Sequence, residues 1–259
     1  MTTCSHHGQN YSLIEPAYST QDTAINDLMT KGYVFLNNAA QLNYDITKHP
    51  KYSTLNDNID VCDNVYVGTK KYATLIKSFK DTLAFNIIGK LKNLRQHNLV
   101  VYRMCKSNKA TSMHRDDCFS VNYALKTDFL TCWIALNDIP IEAGPLAIDQ
   151  KHPITFSEQD TQEARVFADS CLKFNDVRKN LPAIRKYIDK CCYRAPIQNQ
   201  LPTRLIAKNL KAGDCVLFTQ DVVHGSLDNL GHLRVSMDIR FFYNCDPKNT
   251  LLNRSTVKI

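Results

Sequence analysis

The chain has 259 residues, enough to bury one large hydrophobic core. Its hydrophobic fraction of 44% and charged fraction of 22% are those of an ordinary globular protein, and no apolar run is long enough to span a bilayer, so no membrane partner is expected. The net charge of +7 suits an anionic small molecule; the basic residues form no stripe interleaved with aromatics, so no nucleic acid is expected.

Residues 1–18 are polar and are expected to be flexible and frayed. Residues 20–31 read as a helix capped by Asp22, with Ala24, Ile25, Leu28 and Met29 on one face and Gly32 as its stop. Tyr33 to Leu36 follows as a buried strand. Residues 37–67 are rich in Asn and Asp and show no clear period. Residues 70–96 read as one helix with Leu75, Ile76, Phe79, Leu83, Ile87 and Ile88 as the apolar stripe. From Leu99 the pattern becomes short strands, over 99–104, 111–115, 120–123 and 130–136. A turn at 142–145 leads to a strand at 146–148. Residues 157–194 are helical and basic, within a helical insertion over 153–200; the basic residues 173–190 are a solvated face or a lid for an anionic substrate. Strands resume at 204–207, 215–219 and 233–243, with Lys211 to Asp214 as a tight turn. Helices first and short strands later predict a single α+β domain over 1–259, with a mainly β core that is closed or double-layered.

Ten cysteines are scattered without a Cys-x-x-Cys pair, which argues against a zinc site and a disulfide framework. Reduced thiols and a start with neither basic n-region nor apolar h-region predict a cytoplasmic protein.

The chemistry lies in His114-Arg115-Asp116 and in His224, more than a hundred residues later. On an extended strand, His-x-Asp puts both side chains on one side. Two imidazoles and one carboxylate on one face of a metal is the Fe(II) arrangement that leaves positions open for oxygen and a co-substrate. Alone, His-x-Asp also fits a surface turn, and a lone buried His also fits a hydrogen-bonded core. Arg234, ten residues after His224, offers a guanidinium fork, and Ser236 a hydroxyl two residues on, a pair made for gripping a carboxylate. A kinase loop is excluded: Asn122 follows Asp116 by six residues rather than five, and no glycine-rich loop or Asp-Phe-Gly is present.

Several stretches together resemble the phytanoyl-CoA dioxygenase-like family of Fe(II)/2-oxoglutarate oxygenases. They are Gly32 to Leu36, Trp133-Ile134-Ala135-Leu136-Asn137-Asp138, Ala143 to Leu146, Gly213 to Phe218, and His224-Gly225-Ser226-Leu227 with Asn229, then Arg234 to Arg240. The likeness spans most of the chain and is strongest over 110–152 and 212–243. It implies a double-stranded β-helix (jelly roll, cupin-like) with flanking helices. It implies iron held by His114, Asp116 and His224, O2 as oxidant, and 2-oxoglutarate as co-substrate with its far carboxylate on Arg234. Ser226 and Ser236 are expected partners of that co-substrate, Lys106 a neighbour of the pocket, and Trp133 either a neighbour of the ligands or barrel filling. His152 and His232 are read as non-ligands, and Arg240 as a structural ion pair. The family's Gly-Ser-His turn is replaced by Asp149-Gln150-Lys151-His152, and the loop before His114 lacks the usual prolines; both bear on substrate choice.

The expected activity is hydroxylation of an unactivated C–H bond, with release of succinate and CO2. The expected substrate is a small carboxylate or amino-acid-like metabolite, with an acyl thioester as a further option. A non-catalytic metal- or ligand-binding barrel of the same fold is the alternative, and a metal-dependent isomerase or hydrolase, which would not need Arg234, a third.

Overall fold

The structure is a computed structural model. It describes residues 3–42, 45, 61–66, 73–91, 94–106, 110–111, 113–116, 129–149, 204–220, 222–243 and 256–258. The strands in chain order are β1 Thr3–His6, β2 Gln9–Ile14, β3 Tyr33–Leu36, β4 Val61–Tyr66, β5 Leu94–Cys105, β6 Phe129–Ala135, β7 Leu146–Asp149, β8 Arg204–Ile206, β9 Cys215–Thr219, β10 His224–Ser226, β11 Arg234–Tyr243 and β12 Thr256–Lys258. The helices are α1 Ala24–Lys31, α2 Ala73–Lys80 and α3 Leu83–Gly89. One sheet has the order β1-β2-β8-β7-β10; the other has β12-β5-β11-β6-β9-β3, with β4 also paired to β5. All pairs are antiparallel except β2 with β8. The two curled sheets make the expected double-stranded β-helix.

Strand alternation sorts the larger sheet into two faces. Val100, Tyr102 and Met104 of β5, Leu130, Cys132 and Ile134 of β6, and Val235, Met237, Ile239 and Phe241 of β11 pack outward against Leu28, Phe79, Ile87 and Ile88 of the helices. Burying each such side chain contributes about 1.5–3 kcal/mol. Trp133, Val216 and Phe218 face inward and meet Leu146, Ile148 and Ile206 of the smaller sheet. Cys4, Tyr11, Ala147, Leu205, Val223 and Leu227 form a third cluster on the smaller sheet.

Several elements differ from the expectation. The frayed start is instead a hairpin of β1 and β2 over residues 3–14. Asp228 holds it in place: its carboxylate accepts from the Ser5 hydroxyl, from His7 N at 2.7 Å and from Gly8 N at 2.9 Å. A polar strand needs such tertiary partners, and local composition does not show them. Helix α1 begins after Thr23, not Asp22, and Met29 is 73% exposed, so the buried stripe is narrower than expected. Gly32 caps it in the left-handed region, at φ 76°.

The expected helix over 70–96 is two helices and the start of a strand. Thr82 takes an extended backbone, donates its hydroxyl to Phe79 O at 2.7 Å and accepts from Phe85 N at 3.3 Å. That N-cap ends one helix and starts the next while Phe79, Ile87 and Ile88 stay buried, so the apolar period survives the break. Residues 94–96 belong to β5, where β11 supplies their backbone partners. The strand expected at 111–115 is reduced to one bridge at His114. The expectations for 120–123 and 153–200 lie outside the described residues.

Burial alone would raise the Asp228 pKa, but the Ser5, Gly8 and His7 hydrogen bonds outweigh it and hold the carboxyl below its ordinary value. A folded pKa that is depressed gives stability present above the unfolded pKa and lost as pH falls through the folded one. Asp228→Asn is therefore expected to cost about 1 kcal/mol at neutral pH, after allowance for solvent screening. The gap to wild type should close on acidification below the ordinary carboxylate range, as read from urea midpoints across pH.

Candidate metal centre

Thr111 and residues 113–116 run alongside β10 and the turn before it. His114 N donates to His224 O and His224 N donates to His114 O, both at 2.8 Å. Asp116 N donates to Gln220 O at 3.0 Å, Ser226 N to Thr111 O at 3.1 Å, and Thr111 N to Ser226 Oγ at 2.7 Å. Gly225 permits this approach: a Cβ there would meet Thr111 O at 2.6 Å and Met113 N at 3.2 Å.

Asp116 sits in a turn, not on a strand, so the convergence of His114 and Asp116 is not the simple alternation of an extended segment. The ligand atoms of His114, Asp116 and His224 nevertheless lie within 4.8 Å of one another. Among the described residues no other group of His, Cys, Asp or Glu converges in this way, and His232 is not part of it. His114 Nε2 is 3.7 Å from Asp116 Oδ1, and His224 Nε2 is 4.0 Å from Asp116 Oδ2. These separations exceed a hydrogen bond, so three buried donors converge without satisfying one another. His224 donates Nδ1–H to Val222 O at 2.9 Å, which fixes the ring and turns Nε2 toward the centre. The donor set fits a divalent cation of the Fe(II) kind.

Asp116 is supported on its far side. Its Oδ2 accepts from Thr131 Oγ1 and from Arg240 Nη2, each at 3.3 Å. Burial opposes its charge, but Arg240, His224, His114 and Arg103 more than offset that, and the carboxyl stays well below the usual carboxylate range. Arg240 is thus an ion-pair residue as expected, but its partner is the candidate ligand itself.

The centre opens into a cavity of about 140 Å³. Arg234, Ser236, Asp238 and Arg240 line it in sequence as the inward face of β11, with Arg103 from β5 and Thr131 and Trp133 from β6. Arg234 is buried and donates Nη1–H to Gly144 O. Gly144 has φ 66°, and a Cβ there would lie 2.4 Å from Leu227 O, so only glycine fits this support. Ser236 Oγ is buried and has no hydrogen-bond partner. Ser226 lines the cavity too, with its Oγ already accepting from Thr111 N. Lys106 follows β5 directly and is half-buried, but it is not among the residues that line the cavity. Arg103, Thr131 and Asp238 were not expected at the site. Their signal was period-two alternation: each is a polar residue inside an apolar strand.

The sequence profile of phytanoyl-CoA dioxygenase (PhyH) matches residues 38–234, which include His114, Asp116 and His224 and end on Arg234. The chain belongs to the phytanoyl-CoA dioxygenase family. As a member of that family it is an Fe(II)/2-oxoglutarate oxygenase in type, with iron, 2-oxoglutarate and O2 as its cofactor set. EvdO2 from Micromonospora carbonacea var. aurantiaca is similar in structure, with 10% identity, coverage of 95% of this chain and 96% of that one, and a TM-score of 0.53. HygX from Streptomyces hygroscopicus, solved with iron bound, shares 12% identity over 88% of each chain, with a TM-score of 0.52. At such identities these likenesses show the shared fold. No curated protein matches the chain. No helix among the described residues is long and apolar enough to cross a membrane.

Gly225→Ala is expected to force residues 111–113 away from β10. Overpacking of this kind costs about 1–3 kcal/mol, and it should lower Co(II) affinity by moving His114. Gly89→Ala is the control: a Cβ at Gly89 meets nothing within 4 Å. The check is thermal melting together with Co(II) titration by visible absorption; equal Co(II) affinity in both variants would separate the backbone contact from the centre.

Proposed function

We propose that this protein uses Fe(II), 2-oxoglutarate and O2 to hydroxylate an unactivated C–H bond of a small anionic or amino-acid-like metabolite. The observation that carries the reading is a single cavity holding both the buried His114–Asp116–His224 cluster and the Arg234–Ser236 pair. When bound, the iron supplies the oxidation of 2-oxoglutarate to succinate and CO2 and of the substrate C–H to an alcohol.

The protein supplies position and surroundings. His114, Asp116 and His224 would hold the metal, a donor set that leaves coordination positions for co-substrate and oxygen. Thr131 and Arg240 keep Asp116 ionised and in place. Arg234, oriented by the Gly144 carbonyl, presents a guanidinium to the far carboxylate of 2-oxoglutarate, and the unpartnered Ser236 hydroxyl donates to the same group. Trp133, Phe218 and Leu146 wall the cavity with apolar surface and restrict water. The whole of 1–259 forms one such domain in this reading.

His114→Ala, Asp116→Ala and His224→Ala are each expected to abolish iron-dependent succinate formation while the circular dichroism of the fold is kept. Near-normal turnover in any of them removes that residue from the ligand set. Arg234→Lys keeps the charge but loses the two-point fork. Its affinity for 2-oxoglutarate should fall about tenfold or more, since a charge-assisted hydrogen bond contributes about 1.5–3 kcal/mol, while Fe(II) affinity stays close to wild type. Anaerobic titration of the Fe(II) protein, followed by the visible charge-transfer band of the chelate, measures this; an unchanged curve makes Arg234 structural.

A further inference from the structure

The hairpin of β1 and β2 lies outside residues 38–234, the stretch that the family profile matches. In strand order, β1-β2-β8-β7-β10, it stands at the end of the smaller sheet opposite to β10, the strand of His224. The sheet curls so that these two ends meet. Asp228 N donates to Ser5 O at 2.8 Å, and the Asp228 carboxylate accepts from the Ser5 hydroxyl and from the N–H groups of His7 and Gly8. His7 and Gly8 have φ of 50° and 73°, the left-handed pair of a tight hairpin turn, so the carboxylate holds a conformation that His7 alone disfavours. His6 is buried and donates Nδ1–H to Ser226 O at 2.8 Å. Cys4 and Tyr11 share a buried apolar cluster with Met113, Val223 and Leu227.

These contacts fall on the residues that flank the candidate ligands. Met113 precedes His114, and Val223 precedes His224. Ser226 fixes Thr111 through both its N–H and its Oγ. The His114 ring reaches the centre while its neighbour Met113 is buried in the cluster that holds Cys4 and Tyr11, so the segment is gripped from both sides. A hairpin that only added stability could rest on apolar contact alone. Here a buried imidazole also bonds the carbonyl of the residue that fixes Thr111, and removing that donor would leave a buried acceptor unsatisfied.

Resting on the ligand set proposed above, we infer that the hairpin over 3–14 is a clamp on the metal centre, with His6 as a positioning residue. His6 holds Ser226, and Cys4 and Tyr11 pack with Met113; together they set the spacing of the two backbone segments from which His114 and His224 project. Coupling of this kind is reciprocal: a hairpin that favours the metal-holding arrangement is itself steadied by the metal.

The test titrates the full chain with Co(II), followed by visible absorption, as wild type, His6→Leu, His6→Asn and Ile88→Val. His6→Leu leaves Ser226 O without its donor and should weaken Co(II) binding about fivefold. His6→Asn puts an amide N–H close to where Nδ1 stood and should restore most of that loss. Ile88→Val thins the core on the helical side of the larger sheet; it should lower the melting temperature and leave Co(II) affinity unchanged. Hydrogen exchange of the wild type is the second measurement and decides the matter if His6→Leu does not fold. On Co(II) addition the Asp228 and Gly8 N–H groups should exchange about fivefold more slowly or better, while the Gly32 N–H at the end of α1 keeps its rate. Wild-type protein that takes up no Co(II) defeats the ligand set, and the clamp with it. Equal Co(II) affinity in wild type and His6→Leu, a loss of the same size in His6→Asn or Ile88→Val, or hairpin exchange unaltered by Co(II) overturns the clamp alone and leaves the ligand set standing.

Discussion

Two hydrogen bonds of 2.8 Å between the backbones of His114 and His224 are the constraint on which the site depends. They join segments 110 positions apart and fix the two imidazoles with ring centroids 4.4 Å apart. The pairing continues through Thr111 with Ser226 and Asp116 with Gln220, so the candidate ligands rest on main-chain contacts rather than on flexible side chains. Gly225 makes the approach possible by the absence of a Cβ. A centre built on paired backbone holds its donors in place before a ligand arrives, which lowers the ordering cost of binding.

The second constraint is the period of β11. One face of this strand is Val235, Met237, Ile239 and Phe241, all fully buried against the helices; the other is Arg234, Ser236, Asp238 and Arg240. A strand with so polar a face inside a protein is stable only if each charge has a counterpart. Arg240 meets Asp116, Asp238 meets Arg103, and Arg234 meets the Gly144 carbonyl. Ser236 Oγ and Asp238 Oδ1 are buried without a hydrogen-bond partner, on two residues that line the cavity.

The periphery is tied to this centre by buried polar groups. His6, on the edge hairpin, donates Nδ1–H at 2.8 Å to the carbonyl of Ser226, the same residue that holds Thr111. Asp214 is fully buried and accepts from Lys211 N, Asn38 N and the Tyr18 hydroxyl, so one carboxylate joins the turn before β9 to two segments near the N-terminus. That contact and burial together raise the Tyr18 pKa well above the ordinary phenol range. These links make the outer layer part of the scaffold that holds the inner one.

The alternation of 130–136, 215–219 and 233–243, the Gly32 stop and the apolar stripe ending in Ile87 and Ile88 were legible in the sequence, because each follows from a local period or a single backbone requirement. The order His114, Asp116, His224, Arg234 was legible as a chemistry, since those residue types in that order have few other uses together. Local pattern could not show the polar hairpin over 3–14, the start of β5 at 94–96, or the turn at Asp116. Each depends on a partner far away in the chain: Asp228 for the hairpin, β11 for residues 94–96, Gln220 for Asp116. Asp238 and Arg103 show the same division. Their strand face was set by the period of two, but only the register of β11 against β5 put a carboxylate beside a guanidinium. Sequence determined which chemistry the chain carries, because side-chain type and spacing are local; the tertiary structure decided which groups meet, because register and close approach are set by contacts between distant strands.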